Sequence, residues 1–463
     1  MNEIVSPARV RRFLEQIQEV GAPSGPTPGG SRDDSIARCW HGLGLRPGDL
    51  VLLSIPNGLP LLEQFFAILS AGLVPVLIPP ATPSARLREL VEVFRVRAVG
   101  AMRVNAAALG AHRVESVGPI QVAVFGEAAP PAGNPGEVVL MTSGTSGFAS
   151  ACVFGFEDLL RNASRHAESI GQRESDVVLV CLPLYYSFAL VAQMLGTFEV
   201  GGRMVIDGPP FHPARYIETL TRFGITISSL TPVHVRTLLE SRQSFPAATR
   251  VLSIGGDALS PEHVARLLEL RPGGELYLTY GLTQAGPRVS TLAAHAEPPR
   301  RYASVGKPLS GTQVALEPIT GDGGLKQLLV TSSTVMKRRM GVVEGRAAND
   351  LRGPGTIATG DVFEQDGEGY LYFQGRMGDY IVRGGEKICL AAVKRIATQL
   401  AHVVLAKTQI ERTDAGDDFD LTLSVSTVGA DYEADLRKLL RRTEMPRKIV
   451  VEIADHTHSA RHK

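Results

Sequence analysis

The chain has 463 residues, 44% of them hydrophobic and 21% charged, about three times the ~150-residue domain size, so two or three folding units are expected; wholesale disorder, collagen-like structure and coiled coil are excluded. Lys and Arg number 48 against 47 Asp and Glu, and a net charge of +1 supplies no field that would gather nucleic acid or an anionic membrane. The four cysteines, Cys39, Cys152, Cys181 and Cys389, form no CxxC pair; they fit reduced thiols in a cytoplasmic protein better than a disulfide framework or zinc site.

The N-terminus MNEIVSPARVRRFLEQ lacks the apolar core of a signal peptide. The most apolar window, Gln64 to Ala81, is punctuated by Gly72, Pro75, Pro79 and Pro80. It reads as a helix from Leu61 to Ala71 passing through Gly72 into a buried strand from Val74 to Ile78, not as a membrane span. Downstream, short β-rich runs (Gln121 to Phe125, Val177 to Leu182, Arg203 to Ile206, Ile225 to Leu230, Val251 to Ile254) alternate with helical patterns. Those patterns cover Ser84 to Phe94, Phe156 to Ile170, Pro213 to Phe223, Val233 to Ser241 and Pro261 to Leu270. Such alternation predicts α/β subdomains with parallel strands.

After Tyr280 the texture changes to short strands and Gly-rich turns, which predicts a small β-rich subdomain with a hairpin at Asp366-Gly367-Glu368-Gly369. A final α+β unit follows Asp379, with helices from Ala391 to Gln399 and Asp431 to Arg442 and a last strand from Lys448 to Ile453. This divides the chain into a large domain over 1–377 and a small one over 378–463, with Gly378 free to absorb a backbone rotation between them. The basic stretch Arg437 to Lys448 is expected to be a solvated surface.

The segment from Glu137 to Gly147 is a strand running into a Thr/Ser/Gly loop. Gly144 and Gly147 allow close backbone approach, and Thr142, Ser143, Thr145 and Ser146 add hydroxyl donors, which suits an anion cradle; no Lys follows, so it is not a P-loop. By itself such a loop reads better as a surface turn. It is followed in order by Thr279-Tyr280-Gly281-Leu282-Thr283-Gln284, Thr359-Gly360-Asp361, Gly375-Arg376-Met377-Gly378-Asp379 and Arg383-Gly384-Gly385-Glu386-Lys387. Together with LPLYYSFAL and LSIGGDALS, this ordered set resembles the adenylate-forming superfamily of acyl- and aryl-CoA synthetases, peptide-synthetase adenylation domains and luciferases, over essentially the whole chain.

The resemblance implies activation of a small-molecule carboxylate with ATP and Mg²⁺ to an acyl-adenylate. The C-terminal domain would then swing and pass the acyl group to a thiol of CoA or of a carrier-protein phosphopantetheine. It further implies that Thr142, Ser143, Gly144, Thr145, Ser146 and Gly147 hold the β- and γ-phosphates. Gly255, Gly256 and Asp257 would line the adenine, and Tyr280 would stack on it beside Gly281. Thr283 would meet the α-phosphate, Asp361 would accept both ribose hydroxyls, and Arg376 would also contact the ribose. Tyr185, Tyr186, Phe188, His234, Gly281 and Ala285 are the pocket-lining candidates, and Tyr186 reads equally as a core residue.

Several positions depart from the family pattern. Phe148-Ala149-Ser150 stands where Pro-Lys-Gly is usual, Gln284 stands for the magnesium-binding Glu, and Tyr186 and Ala189 stand for His and Gly. Near the C-terminus Arg461 occupies the place of the Lys that bridges carboxylate and phosphate, with Lys463 able to substitute by a register shift. The leading expectation is an AMP-forming ligase transferring to a thiol, of a kind met in secondary metabolism. The alternatives are a degenerate member that binds nucleotide without efficient adenylation, and a repurposed one that transfers to a nitrogen nucleophile.

Overall fold

The computed structural model describes residues 6–21, 32–80, 82–126, 130–142, 150–241, 243–319, 324–341, 350–383, 386–413, 416–427, 429 and 431–454. Ser143 to Gly147 of the expected phosphate loop, and Arg461 and Lys463, lie outside the described residues.

Two eight-stranded sheets form the large part of the molecule. One runs in the order Arg338–Gly341, Ser150–Gly155, Glu137–Met141, Val74–Leu77, Leu50–Ser54, Ala98–Ala101, Ile120–Val124 and Arg113–Val117. Its central pairings, from Glu137–Met141 through Val74–Leu77 and Leu50–Ser54 to Ala98–Ala101, are parallel. The other runs Ile17–Glu19, Arg203–Ile206, Val177–Val180, Ile227–Leu230, Val251–Gly255, Glu275–Gly281, Arg288–Ala293 and Lys307–Pro308. It is parallel as far as Glu275–Gly281, and its last two pairings are antiparallel. The inner strands read as near-continuous apolar runs, such as LVLLS, VPVL and VVLV, because they are buried on both faces and no polar side is needed.

The expected helix-to-strand passage is present as Leu59–Ser70 followed by Val74–Leu77, with Gly72 at φ +73° making the turn. Phe13, Phe65, Phe66, Phe156 and Phe198 form one aromatic cluster, in which Phe66 lies 5.3 Å from Phe65 and 5.2 Å from Phe198 between ring centroids. It ties the N-terminal helix Pro7–Glu15, the helix Leu59–Ser70 and the helix Phe156–Ser169 into one core.

A five-stranded antiparallel sheet over 312–376 is the expected β-rich subdomain, with the hairpin between Thr356–Gln365 and Leu371–Arg376 turning at Asp366. A smaller C-terminal domain follows. The hairpin Tyr380–Arg383 with Glu386–Cys389, the helices Leu390–Ala397 and Tyr432–Leu439, and the sheet Val403–Thr413, Gly416–Val425 and Lys448–Ile453 pack around their own core, including Ile388, Leu390, Phe419, Leu423 and Leu436. Four cations of the basic stretch are in ion pairs: Arg437 with Glu433, Lys438 with Asp435, Arg441 with Glu444, and Arg447 with Asp420 and Glu411. Among the described residues no helix is long and apolar enough to cross a membrane.

The strand leading to the phosphate loop is anchored at its start. Arg338 donates from Nη1 to Glu137 Oε1 at 2.8 Å and from Nη2 to Oε2 at 3.0 Å, and the Asn134 N–H donates to Oε2 at 3.0 Å. Burial pushes the Glu137 carboxyl up, but the Arg338 and Asn134 hydrogen bonds outweigh it and hold the group below the ordinary glutamate range. Its stabilisation is therefore present at neutral pH and lost as pH falls through the depressed folded value. Glu137→Gln is expected to cost about 1–2 kcal/mol at pH 7, since Arg338 is partly exposed and retains solvent. Denaturant curves of the two proteins should converge in acid; a gap that persists there would place the effect in packing.

Candidate functional site

In open α/β sheets ligands gather outside the carboxyl ends of the parallel strands. Here those ends belong to Val251–Gly255 and Glu275–Gly281, and the predicted residues converge on them. Tyr280, buried near the end of its strand, donates its hydroxyl to Asp361 Oδ2 at 2.7 Å, and its ring meets Phe363 edge-on at 4.7 Å. Asp361 lies opposite Arg376 in the antiparallel register of the β-rich sheet, with Arg376 Nε 3.4 Å from Oδ1. Three sequence segments thus meet at one carboxylate.

Asp361 is only 5% exposed. Burial raises its pKa above the ordinary aspartate value, opposed in part by Arg376 and the Tyr280 hydroxyl. Tyr280 itself is held neutral, its pKa pushed well up by burial and by the charge of Asp361. Gly375, at φ +131°, needs to be glycine: a Cβ there would stand 2.9 Å from Cβ of Ala391 on the helix Leu390–Ala397.

The turn Thr283–Ala285 continues from Gly281. Thr283 Oγ1 lies 3.1 Å from Ser187 Oγ, Gln284 accepts the Met336 N–H on its backbone oxygen at 2.9 Å, and Ala285 is buried. Asn57 positions the Leu182–Leu184 segment, donating to Leu182 O at 2.8 Å and accepting from the Leu184 N–H at 2.9 Å. This sets up Tyr185 and Tyr186, whose rings are 4.7 Å apart, and burial raises the Tyr186 phenol. Tyr185 also faces a cavity of about 190 Å³ bordered by Asn57 and Pro209.

Phe188 opens a wide-turned π-helical segment, Phe188–Leu195, that is buried along its whole length. A Cβ at Gly255 would lie 2.6 Å from Thr279 Oγ1 and 3.3 Å from Phe188 Cε1, so only glycine fits that strand end. Gly256 follows at φ +93°, and exposed Asp257 accepts the Ala258 N–H at 2.8 Å. Thr142 closes the neck of the loop, its Oγ1 2.7 Å from Ser150 Oγ and 3.0 Å from Ser150 O. His234 follows the carboxyl end of the neighbouring parallel strand Ile227–Leu230. It is buried on the helix Pro232–Ser241, 4.3 Å from the Phe211 ring, and burial lowers its pKa to about 4.

Sequence reasoning missed Arg288, the first residue of Arg288–Ala293. Its guanidinium stacks on Phe188 at 4.6 Å between the two strand ends. A lone cation directly after Gly286-Pro287 and before an apolar run was the available signal.

The family model described as AMP-binding enzyme matches residues 31–337. A salicylyl-CoA synthase / salicylate adenylyltransferase from a Streptomyces species is 29% identical over 417 residues, covering 80% of this chain and 74% of that one. A salicyl-AMP ligase / salicyl-S-ArCP synthetase of Mycobacterium tuberculosis is 27% identical over 437 residues, covering 84% and 75%. Among solved structures, the O-succinylbenzoate coenzyme A synthetase from Bacillus subtilis in complex with ATP and magnesium superposes with TM-score 0.76 at 21% identity, covering 91% of this chain and 89% of that one. With the family match spanning well over half of its length, the chain belongs to the AMP-binding enzyme family and is an AMP-forming carboxylate ligase, the class expected from its ordered motifs.

Proposed function

We propose that the enzyme activates a small aryl-type carboxylic acid and passes it to the thiol of CoA or of a carrier-protein phosphopantetheine, in the cytoplasm. The names of the similar proteins support an aryl acid: two act on salicylate and others are 2-succinylbenzoate–CoA ligases. Tyr185, Tyr186 and Phe188 supply the flat apolar surface such an acid needs. A carrier-protein acceptor is supported by the salicyl-S-ArCP synthetase relative.

The observation that carries the nucleotide assignment is the Tyr280–Asp361–Arg376 cluster at the strand ends. An ionised carboxylate has about four acceptor sites, so Asp361 can hold Tyr280 and still accept ribose hydroxyls. Thr142 to Gly147 would cradle the outer phosphates, Gly255 to Asp257 and Tyr280 the adenine, and Thr283 the α-phosphate. Arg461 would bring positive charge to the reacting oxygens. Among the described residues no three His, Cys, Asp or Glu side chains form a metal cage. The side-chain carbonyl oxygen of Gln284 would be the protein's contact to a magnesium ion brought with the triphosphate, and the ion would supply charge neutralisation. In this reading the boundary between the two domains would fall between residues 377 and 378.

Pyrophosphate release measured across aryl, fatty and amino acids, with and without CoA, tests this reading. Release is expected with aryl acids, and thioester only when a thiol is added. No release with any acid would support the degenerate alternative; adenylate consumed by amines but not by thiols would support transfer to nitrogen.

A further inference from the structure

Arg288 begins its strand where Glu275–Gly281 ends, paired in register with Gly281. Its backbone is clamped by Asn162: the Arg288 N–H donates to Asn162 Oδ1 at 2.9 Å, and Asn162 Nδ2 donates to Arg288 O at 2.9 Å. The side chain is 3% exposed, so it has left water. Among the described residues no carboxylate lies within ion-pair distance of the guanidinium and no group accepts a hydrogen bond from it; buried Nε has no partner. Burial lowers its pKa to about 10, which leaves it cationic at neutral pH.

The surroundings do not neutralise it. His166 is fully buried nearby on the helix Phe156–Ser169, and burial, with Arg288's own charge, lowers its pKa to about 3, so it is a neutral ring. Tyr280 is the other ionisable neighbour, and its hydroxyl is given to Asp361. The guanidinium instead lies across bare backbone: Cβ atoms at Gly255 and Gly281 would stand 3.3 Å from Nη1 and 2.9 Å from Nη2. Two glycines and one aromatic face thus leave room for a planar cation beside Phe188 and Gly281, two of the candidate pocket-lining residues. A buried cation without a counter-charge is costly to the fold, and a ligand anion that completes the pair offsets that cost.

We infer that Arg288 selects the substrate by pairing with a second oxyanion, such as a carboxylate, on the acid whose first carboxylate is activated. This rests on the ligase reading above. The same fork chemistry would suit a nucleotide phosphate, and the test separates the two sources.

Wild type, Arg288→Met and Arg288→Lys are compared in pyrophosphate release with glutarate against butyrate and phthalate against benzoate, pairs that differ by one carboxylate. Calorimetric titration of the same four acids in the presence of AMP reads the preference without turnover. The wild type is expected to favour the dicarboxylate of at least one pair by about 100-fold or more in kcat/KM. The ratio should fall to near one in Arg288→Met and be partly restored in Arg288→Lys. The ligand-free Arg288→Met protein should melt at or above the wild type, because an uncompensated charge has been removed.

Equal handling of both pairs by the wild type, in turnover and in calorimetry, would overturn the inference. So would an unchanged ratio in Arg288→Met, a melting temperature several degrees lower, or a rise in the KM for ATP that is the same for every acid, which would assign the fork to phosphate. Absence of pyrophosphate with any acid, alongside a calorimetric preference for dicarboxylates, would sink the ligase reading and leave the oxyanion site standing.

Discussion

A Gly378→Pro enzyme is expected to lose one half-reaction by two or more orders of magnitude while the other survives. Gly378 lies within the turn Met377–Asp379, and a Cβ there would meet nothing within 4 Å, so side-chain bulk by itself does no harm. Proline acts differently: it fixes φ near −65° and restricts Met377 as well. Among the described residues, several contacts hold the small domain in its present orientation. Arg236 Nε donates to Val404 O at 2.6 Å, Gln399 Nε2 donates to Glu262 at 3.3 Å, and the helix Leu390–Ala397 lies against the strand Leu371–Arg376. Asp379 accepts the Arg376 N–H and the Lys394 ammonium, both at 3.1 Å, at the joint itself. If the domain turns about Gly378 between adenylation and thiol transfer, a locked φ permits one orientation only. Single-turnover pyrophosphate formation and thioester formation from supplied acyl-adenylate should therefore separate in Gly378→Pro and stay together in Gly378→Ala. Equal loss of both steps, or of neither, counts against rotation at this residue.

Asp361→Ala is expected to weaken ATP and AMP binding by about 30- to 150-fold, from the ~2–3 kcal/mol carried by charge-assisted hydrogen bonds to a shielded carboxylate. The pH dependence has a defined sign. Burial places the folded pKa of Asp361 above its unfolded value, so the ionised form is disfavoured in the ligand-free fold, and this group adds stability as pH falls through the raised value. Nucleotide affinity should move the other way, declining over the same range as the carboxylate takes up a proton. Calorimetry on folded Asp361→Ala and Asp361→Asn proteins measures both. Unchanged affinity for AMP would remove Asp361 from the nucleotide site.

Much of the architecture was legible where a segment's own pattern decides its structure. The helix Phe156–Ser169 presents an apolar face with helical spacing, and the 356–376 hairpin is marked by its Asp-Gly-Glu-Gly turn. The π-helical segment Phe188–Leu195 escaped because all but Gln193 of it is apolar, and a fully buried element has no periodicity to read. The strand Ile17–Glu19 has three residues and exists because it adds to the edge strand Arg203–Ile206, a pairing invisible to a local window. The ordered motifs pointed to Tyr280, Thr283, Asp361 and Arg376 as candidates, and the fold brings these to neighbouring strand ends and loops. Arg288 escaped because composition rules place arginine on the surface, and its burial is imposed by Asn162 and Phe188, which lie far from it in the chain.

The pairing of Glu137 with Arg338 has a consequence for the order of biosynthesis. The two residues are 201 positions apart, and the strand bearing Arg338 covers the outer side of Ser150–Gly155. During synthesis at about 5–20 residues per second, the nascent sheet waits roughly 10–40 s with that strand's hydrogen-bonding edge uncapped. An open edge of alternating N–H and C=O groups is a template for pairing with other chains. The first sheet therefore cannot close as an independent N-terminal folding unit on the ribosome; it is finished only when the segment that follows the second sheet returns to seal it.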